Sequence, residues 1–104
     1  MTRSVVVDLA GRSVALRQPL AALFAIDEEC GKSAWAVLHD IVTGQARIEQ
    51  IDAVLHHGLI GGGLSLVDAD AITRKIRDAG QPLHHYVGIA AQALLSALDV
   101  PDTA

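Results

Sequence analysis

Aromatic side chains are scarce: Phe24, Trp35 and Tyr86 are the full set, 3% of 104 residues. Any core must therefore be made of Leu, Ile, Val and Ala, within a hydrophobic fraction of 51%. Cysteine occurs once, as Cys30, which excludes an intramolecular disulfide and fits a reducing compartment. Positive charge is sparse and scattered, and the net charge is −4. Arg74, Lys75 and Arg77 are the one cluster, flanked by Asp68, Asp70 and Asp78. A domain that grips phosphate backbones needs a basic face or stripe, so nucleic acid is excluded as the expected partner. Long apolar runs are missing too. The longest candidate, Val87 to Leu98, falls short of the ~18–20 residues of a membrane span. The start, Met1-Thr2-Arg3-Ser4 and a short valine run, lacks the apolar region of a secretory signal. The expectation is a cytoplasmic chain with no membrane contact, forming one domain over residues 1–104.

Residues 4–18 alternate as a β-hairpin. Val5, Val7 and Leu9 lie on one face, Val14 and Leu16 continue it, and Ala10-Gly11-Arg12 supplies the turn. Five helices follow. The first spans about 19–30, with Pro19 at its first position and Gly31 after its end. Its expected stripe is Leu20, Leu23 and Phe24, with Asp27 as an acid within it. Ser33 caps a second helix to about residue 43, with Trp35, Leu38 and Val42 in one stripe. The third, about 47–59, carries Ile48, Ile51, Leu55 and Leu59 at 3–4 spacing, and Gly61-Gly62-Gly63 reads as a flexible joint. Ser65 and Asp68 imitate a capping box for a fourth helix over about 66–79, closed by Gly80. Its apolar positions are Ala69, Ile72, Ile76 and Ala79. Pro82 opens a fifth, to about residue 98, with Leu83, Val87, Ala90, Leu94 and Ala97 in line. Residues 100–104 are expected to be disordered. Strands segregated from helices give an α+β class: an N-terminal hairpin and a mostly helical bundle.

Reactive constellations are incomplete. His56-His57 and His84-His85 are adjacent pairs, which diverge by about 100° on a helix and chelate one ion poorly, and no His-x-x-x-His spacing occurs. Cys30 falls at a helix C-terminus, where the dipole disfavours a thiolate. The glycine run lacks the lysine of a phosphate loop and follows a helix instead of a strand. No metal, cofactor or catalytic group is assigned. Asp27, on the apolar side of its helix, is read as a structural acid, since a buried carboxylate is costly unless paired or hydrogen-bonded.

The opening VVVDLAGRSVALRQP, then Leu20-Ala21-Ala22-Leu23, Ile26-Asp27, Cys30-Gly31-Lys32-Ser33, Arg47-Ile48 and Ile51…Leu55…Gly58-Leu59, form a recognisable order. Leu66-Val67-Asp68-Ala69-Asp70, Asp78-Ala79-Gly80 and an Ala/Leu-rich last helix continue it. Over about residues 3–99 the chain resembles a small phage-tail family of gene transfer agents, described both as tail tube proteins and as tail assembly chaperones. At the position of Asp27 that family usually carries an acid, most often glutamate. The resemblance implies no enzyme. It implies a chaperone that coats the tape-measure protein and keeps it soluble until tube subunits polymerise. The expected partners are thus tape-measure protein, tube subunits or a second copy. Alanine-rich helical faces suit an incoming apolar helix, and the acidic surface suits solubility. A structural tail subunit, associated with the virion, is the first rival reading, and a small metal- or ligand-binding helical domain the second. The expected binding surface joins the third and fifth helices through Leu55, Leu59, Tyr86, Val87 and Leu94.

Overall fold

Alternating valines and a turn at Ala10-Gly11 produce an antiparallel hairpin of β1 (Ser4–Leu9) and β2 (Arg12–Arg17). A computed structural model describes residues 4–79 and 84–98 of the chain. Leu9 pairs with Arg12, so the turn has two residues, Ala10 at φ 53° and Gly11 at φ 76°. Two consecutive positive φ values match the right-handed twist of the flanking strands. Leu9, Val14 and Leu16 are buried on the inner face, whereas Val5 and Val7 are only half-buried. The closing pair of a two-residue hairpin exchanges both hydrogen bonds, as does every second pair beyond it. Val7–Val14 and Val5–Leu16 are therefore bonded pairs. The carbonyls of Ala15 and Arg17 consequently face away from β1.

The helices are α1 (Leu20–Cys30), α2 (Ala34–Val42), α3 (Ile48–Gly61), α4 (Leu66–Asp78) and α5 (His84–Leu98). The architecture is α+β, a hairpin followed by five helices. Helix α3 is the hub, touching α1, α4, α5 and β2. Its approach to β2 depends on glycine. Gly58, Gly61 and Gly62 lie at i, i+3 and i+4, hence on one face. A Cβ at Gly61 would collide with the Arg17 carbonyl and the Pro19 ring, and one at Gly62 with the Ala15 carbonyl. At Gly58 it would lie 2.7 Å from Nε2 of Gln18. That amide is almost wholly buried and donates to the Val54 carbonyl at 2.8 Å. The glycine run is thus not the flexible joint that composition suggests. Gly61 ends the helix, Gly62 caps it, and both let its backbone lie against a strand edge.

The other helices obey 3–4 spacing, but two of the expected stripes are rotated. In α1 the buried residues are Ala22 and Ile26, with Leu23 and Cys30 partly covered. Leu20, Phe24 and Asp27 are exposed. Asp27 is therefore not an acid inside an apolar stripe. Its carbonyl accepts from Gly31 N–H at 3.0 Å, and its carboxylate reaches solvent. Two overlapping apolar stripes exist in this helix, and the one with the smaller side chain faces α3. Likewise α2 buries Ala34, Val37, Leu38 and Ile41 while Trp35 and Val42 point outward. Pro19 serves as the N-cap of α1, one position earlier than expected. Ser33 and Ser65 cap α2 and α4 as read, accepting from Ala36 N–H and Asp68 N–H. In α4, Ala69, Ile72 and Thr73 are buried, Ile76 is half-buried and Ala79 is exposed. Helix α5 buries Tyr86, Ala90, Ala93 and Leu94. Gly80, Pro82, Leu83 and residues 100–104 lie outside the described residues.

Two glycine substitutions should behave oppositely. Gly62→Ala forces a methyl group into the β2 backbone and is expected to destabilise by at least about 1–3 kcal/mol. Gly88→Ala, exposed in α5 with open space around it, is expected to stabilise by about 0.5–1 kcal/mol through helix propensity. Urea unfolding of the two variants measures both.

Candidate partner-binding surface

Helices α3 and α4 run side by side, fastened by polar pairs. His56 Nε2 meets Asp70 Oδ1 at 2.7 Å, and Arg77 donates to Asp52 at 3.0 Å. The Asp52 carboxylate holds the Arg77 guanidinium more firmly protonated than usual. Beside this ion pair lies an opening bordered by α3, the end of α4 and the start of α5. It is a groove of about 300 Å³, lined by Ile48, Ile51, Leu55, Ile76 and Tyr86. Its walls are apolar, and Asp52 with Arg77 forms a charged rim. Ile48 is 63% exposed although it is large and apolar. It belongs to the same stripe as Ile51 and Leu55, but it sits at the first turn of α3, beyond the reach of the core.

The residues expected to bind a partner fall into three settings. Leu55 and Tyr86 are mostly buried and line the groove. Leu59 and Leu94 are fully buried in the core. Val87 is half-buried against it. Ile48 and Ile76, which sequence reading did not single out for binding, complete the groove. A signal was available for Ile48: it opens its helix, where an apolar stripe often overruns the core. Other apolar side chains remain exposed, among them Phe24, Trp35 and Val67.

A second, polar hollow of about 410 Å³ lies between the end of α1 and the start of α3. Its centre is Asp40, which accepts from Lys32 Nζ at 2.7 Å and from Gln50 Nε2 at 2.9 Å. Gln50 Oε1 in turn accepts from Arg47 N–H and ties down the start of α3. These donors hold the Asp40 carboxyl below its usual range. Cys30 borders the hollow, and burial followed by the charge of Glu29 and Glu49 pushes its thiol upward, away from a reactive thiolate. His57 Nε2 meets Glu29 Oε1 at 2.9 Å, linking α3 to α1. Each member of this histidine pair thus reaches a different helix. Among the described residues no three His, Cys, Asp or Glu side chains converge as a metal site, and no helix is long and apolar enough to cross a membrane.

The geometry is one of surfaces and grooves on a helical body with a two-stranded sheet. The family described as phage tail tube protein, GTA-gp10, matches residues 3–99. The chain belongs to that family. The GTA-gp10 match spans both strands and all five helices. No curated protein and no solved structure matches the chain.

The Asp40 network predicts a pH signature. The folded carboxyl is held below its unfolded value, so its stabilisation is complete above the unfolded range, near about 3.9, and is lost as pH falls through the folded value. Asp40→Asn should therefore melt below wild type at neutral pH, and the two melting temperatures should converge on acidification below about pH 3.9.

Proposed function

We propose that this GTA-gp10 family protein is a non-enzymatic tail assembly chaperone that holds apolar helical segments of the tape-measure protein. The observation that carries the reading is the apolar groove between α3, α4 and α5, with Ile48 left open to solvent. Leu55 and Tyr86 form its floor, and Ile48 and Ile76 form its walls. An amphipathic helix docks by placing residues at i, i+3 or i+4 into such a groove, and the charged rim fixes its direction. Val87, half-buried next to Tyr86 in α5, extends the surface, while Leu59 and Leu94 support it from the core. Such a protein acts in the bacterial cytoplasm, before the tail is complete.

The alternative is a structural subunit of the tail, which the family's description as a tube protein favours. Two features speak for the chaperone. Closing a ring of tube subunits calls for more sheet than a single two-stranded hairpin, and the exposed apolar positions lie mainly on helices.

Co-expression with the tape-measure protein tests the reading. Wild type should keep that protein soluble and co-purify with it. Ile48→Asp places a charge at an exposed groove position, so it should leave the fold intact and weaken capture at least about tenfold. Mass spectrometry of purified particles should find the chain absent from finished tails. Abundance there would assign it to the tube instead.

A further inference from the structure

The two edges of the hairpin differ. The outer edge of β2 is closed, because the carbonyls of Ala15 and Arg17 lie against Gly62 and Gly61. At β1, which α5 approaches, the outer edge carries no bonded neighbour: among the described residues no backbone hydrogen bond reaches β1 from outside the hairpin. By the pairing register, Ser4, Val6 and Asp8 are the non-bonded partners of Arg17, Ala15 and Ser13. Their own N–H and C=O groups therefore point outward. Val6, at the centre of this edge, is 71% exposed. The inner face on this side is only partly covered: α5 approaches β1 and Val7 packs against the core, yet Val5 and Val7 stay half-buried whereas Val14 and Leu16 opposite them are buried.

We propose that the outer β1 edge pairs antiparallel with β1 of a second copy, about a two-fold axis at Val6, giving a continuous four-stranded sheet. The edge is self-complementary in three respects. With Val6 opposite its own copy, the outward-facing backbone groups meet in bonded pairs: Val6 with Val6, Ser4 with Asp8 and Asp8 with Ser4. That makes about six N–H···O=C bonds. Next, side chains match by row. On the outer face Ala15 and Val6 meet the same two residues of the copy, closing an apolar stripe between polar rows. On the inner face Val5 meets Val7 of the copy, so each half-exposed valine gains an apolar neighbour. Finally, charge agrees. Asp8 faces Ser4 of the other copy instead of another acid, with Arg17 in the next strand of the same row. A different strand lacks this palindrome, which is why a second copy is the favoured occupant. The inference does not depend on the chaperone reading.

Sedimentation equilibrium and register-specific crosslinking test it. Wild type should show a concentration-dependent dimer, and Val6→Lys, a charge on an edge strand, should abolish it with an unchanged circular dichroism spectrum. In a Cys30→Ala background, Val6→Cys should form an intermolecular disulfide on mild oxidation. A bonded antiparallel pair places Cα atoms about 5.5 Å apart, within disulfide reach. Ser4→Cys alone should not crosslink, but a mixture of Ser4→Cys and Asp8→Cys should. A wild type that stays monomeric to about 1 mM, a dimer that survives Val6→Lys, or crosslinking of Ser4→Cys to itself would each overturn the proposal. Rescue of pairing only by an added tail protein would assign the edge to that protein instead.

Discussion

The backbone contact between the C-terminal end of α3 and the outer edge of β2 is the constraint on which the arrangement depends. A two-stranded hairpin has little stability alone in water and needs a surface to lie on. Helix α3 supplies that surface, but only because three glycines on one face remove the side chains that would hold the strand away. Gln18 completes the junction. It follows β2 directly, turns inward, and donates to a carbonyl within the helix. Once α3 is fixed against the hairpin, α1, α4 and α5 pack on its remaining faces, and the groove opens between α3, the end of α4 and the start of α5.

Element identity was legible in the sequence because it rests on local chemistry. Alternating valines, Gly11, the Ser33 and Ser65 caps and Gly31 after α1 act within a few residues, and the structure uses them as read. Orientation was less legible. In α1 the stripes through Leu20 and Phe24 and through Ala22 and Ile26 are both apolar, and periodicity alone does not choose between them. The choice is made by how closely α3 can approach, which is a tertiary property. In α2 the core side is the one that packs on α5 and α1, which leaves Trp35 outside. Asp27 lies outside because the core takes the stripe of Ala22 and Ile26. The role of the glycine run is hidden from the sequence for a related reason: composition reports backbone freedom, whereas the contact with β2 arises between segments distant in the chain.

The candidate surface was partly legible. The third and fifth helices do border the groove, and Leu55 and Tyr86 line it. Leu59 and Leu94 share the same periodic pattern but are consumed by the core, since burial depends on position along a helix as well as on its face. Ile48 lies on that stripe yet stays open because it opens the helix. Polar pairs do different work. His56–Asp70, His57–Glu29 and Arg77–Asp52 each join α3 to a neighbour near the surface, where such polar pairs set geometry more than they add stability.

Blocking one side of a sheet with helix backbone also limits how far the sheet can grow. A ribbon with two open sides can recruit strands without end, which is the route to fibres. Here the glycine-lined side admits no further strand, so lateral growth has a single direction and stops when that side is filled. The same small residues that seat the hairpin therefore act as a terminator, protecting a valine-rich segment from runaway aggregation.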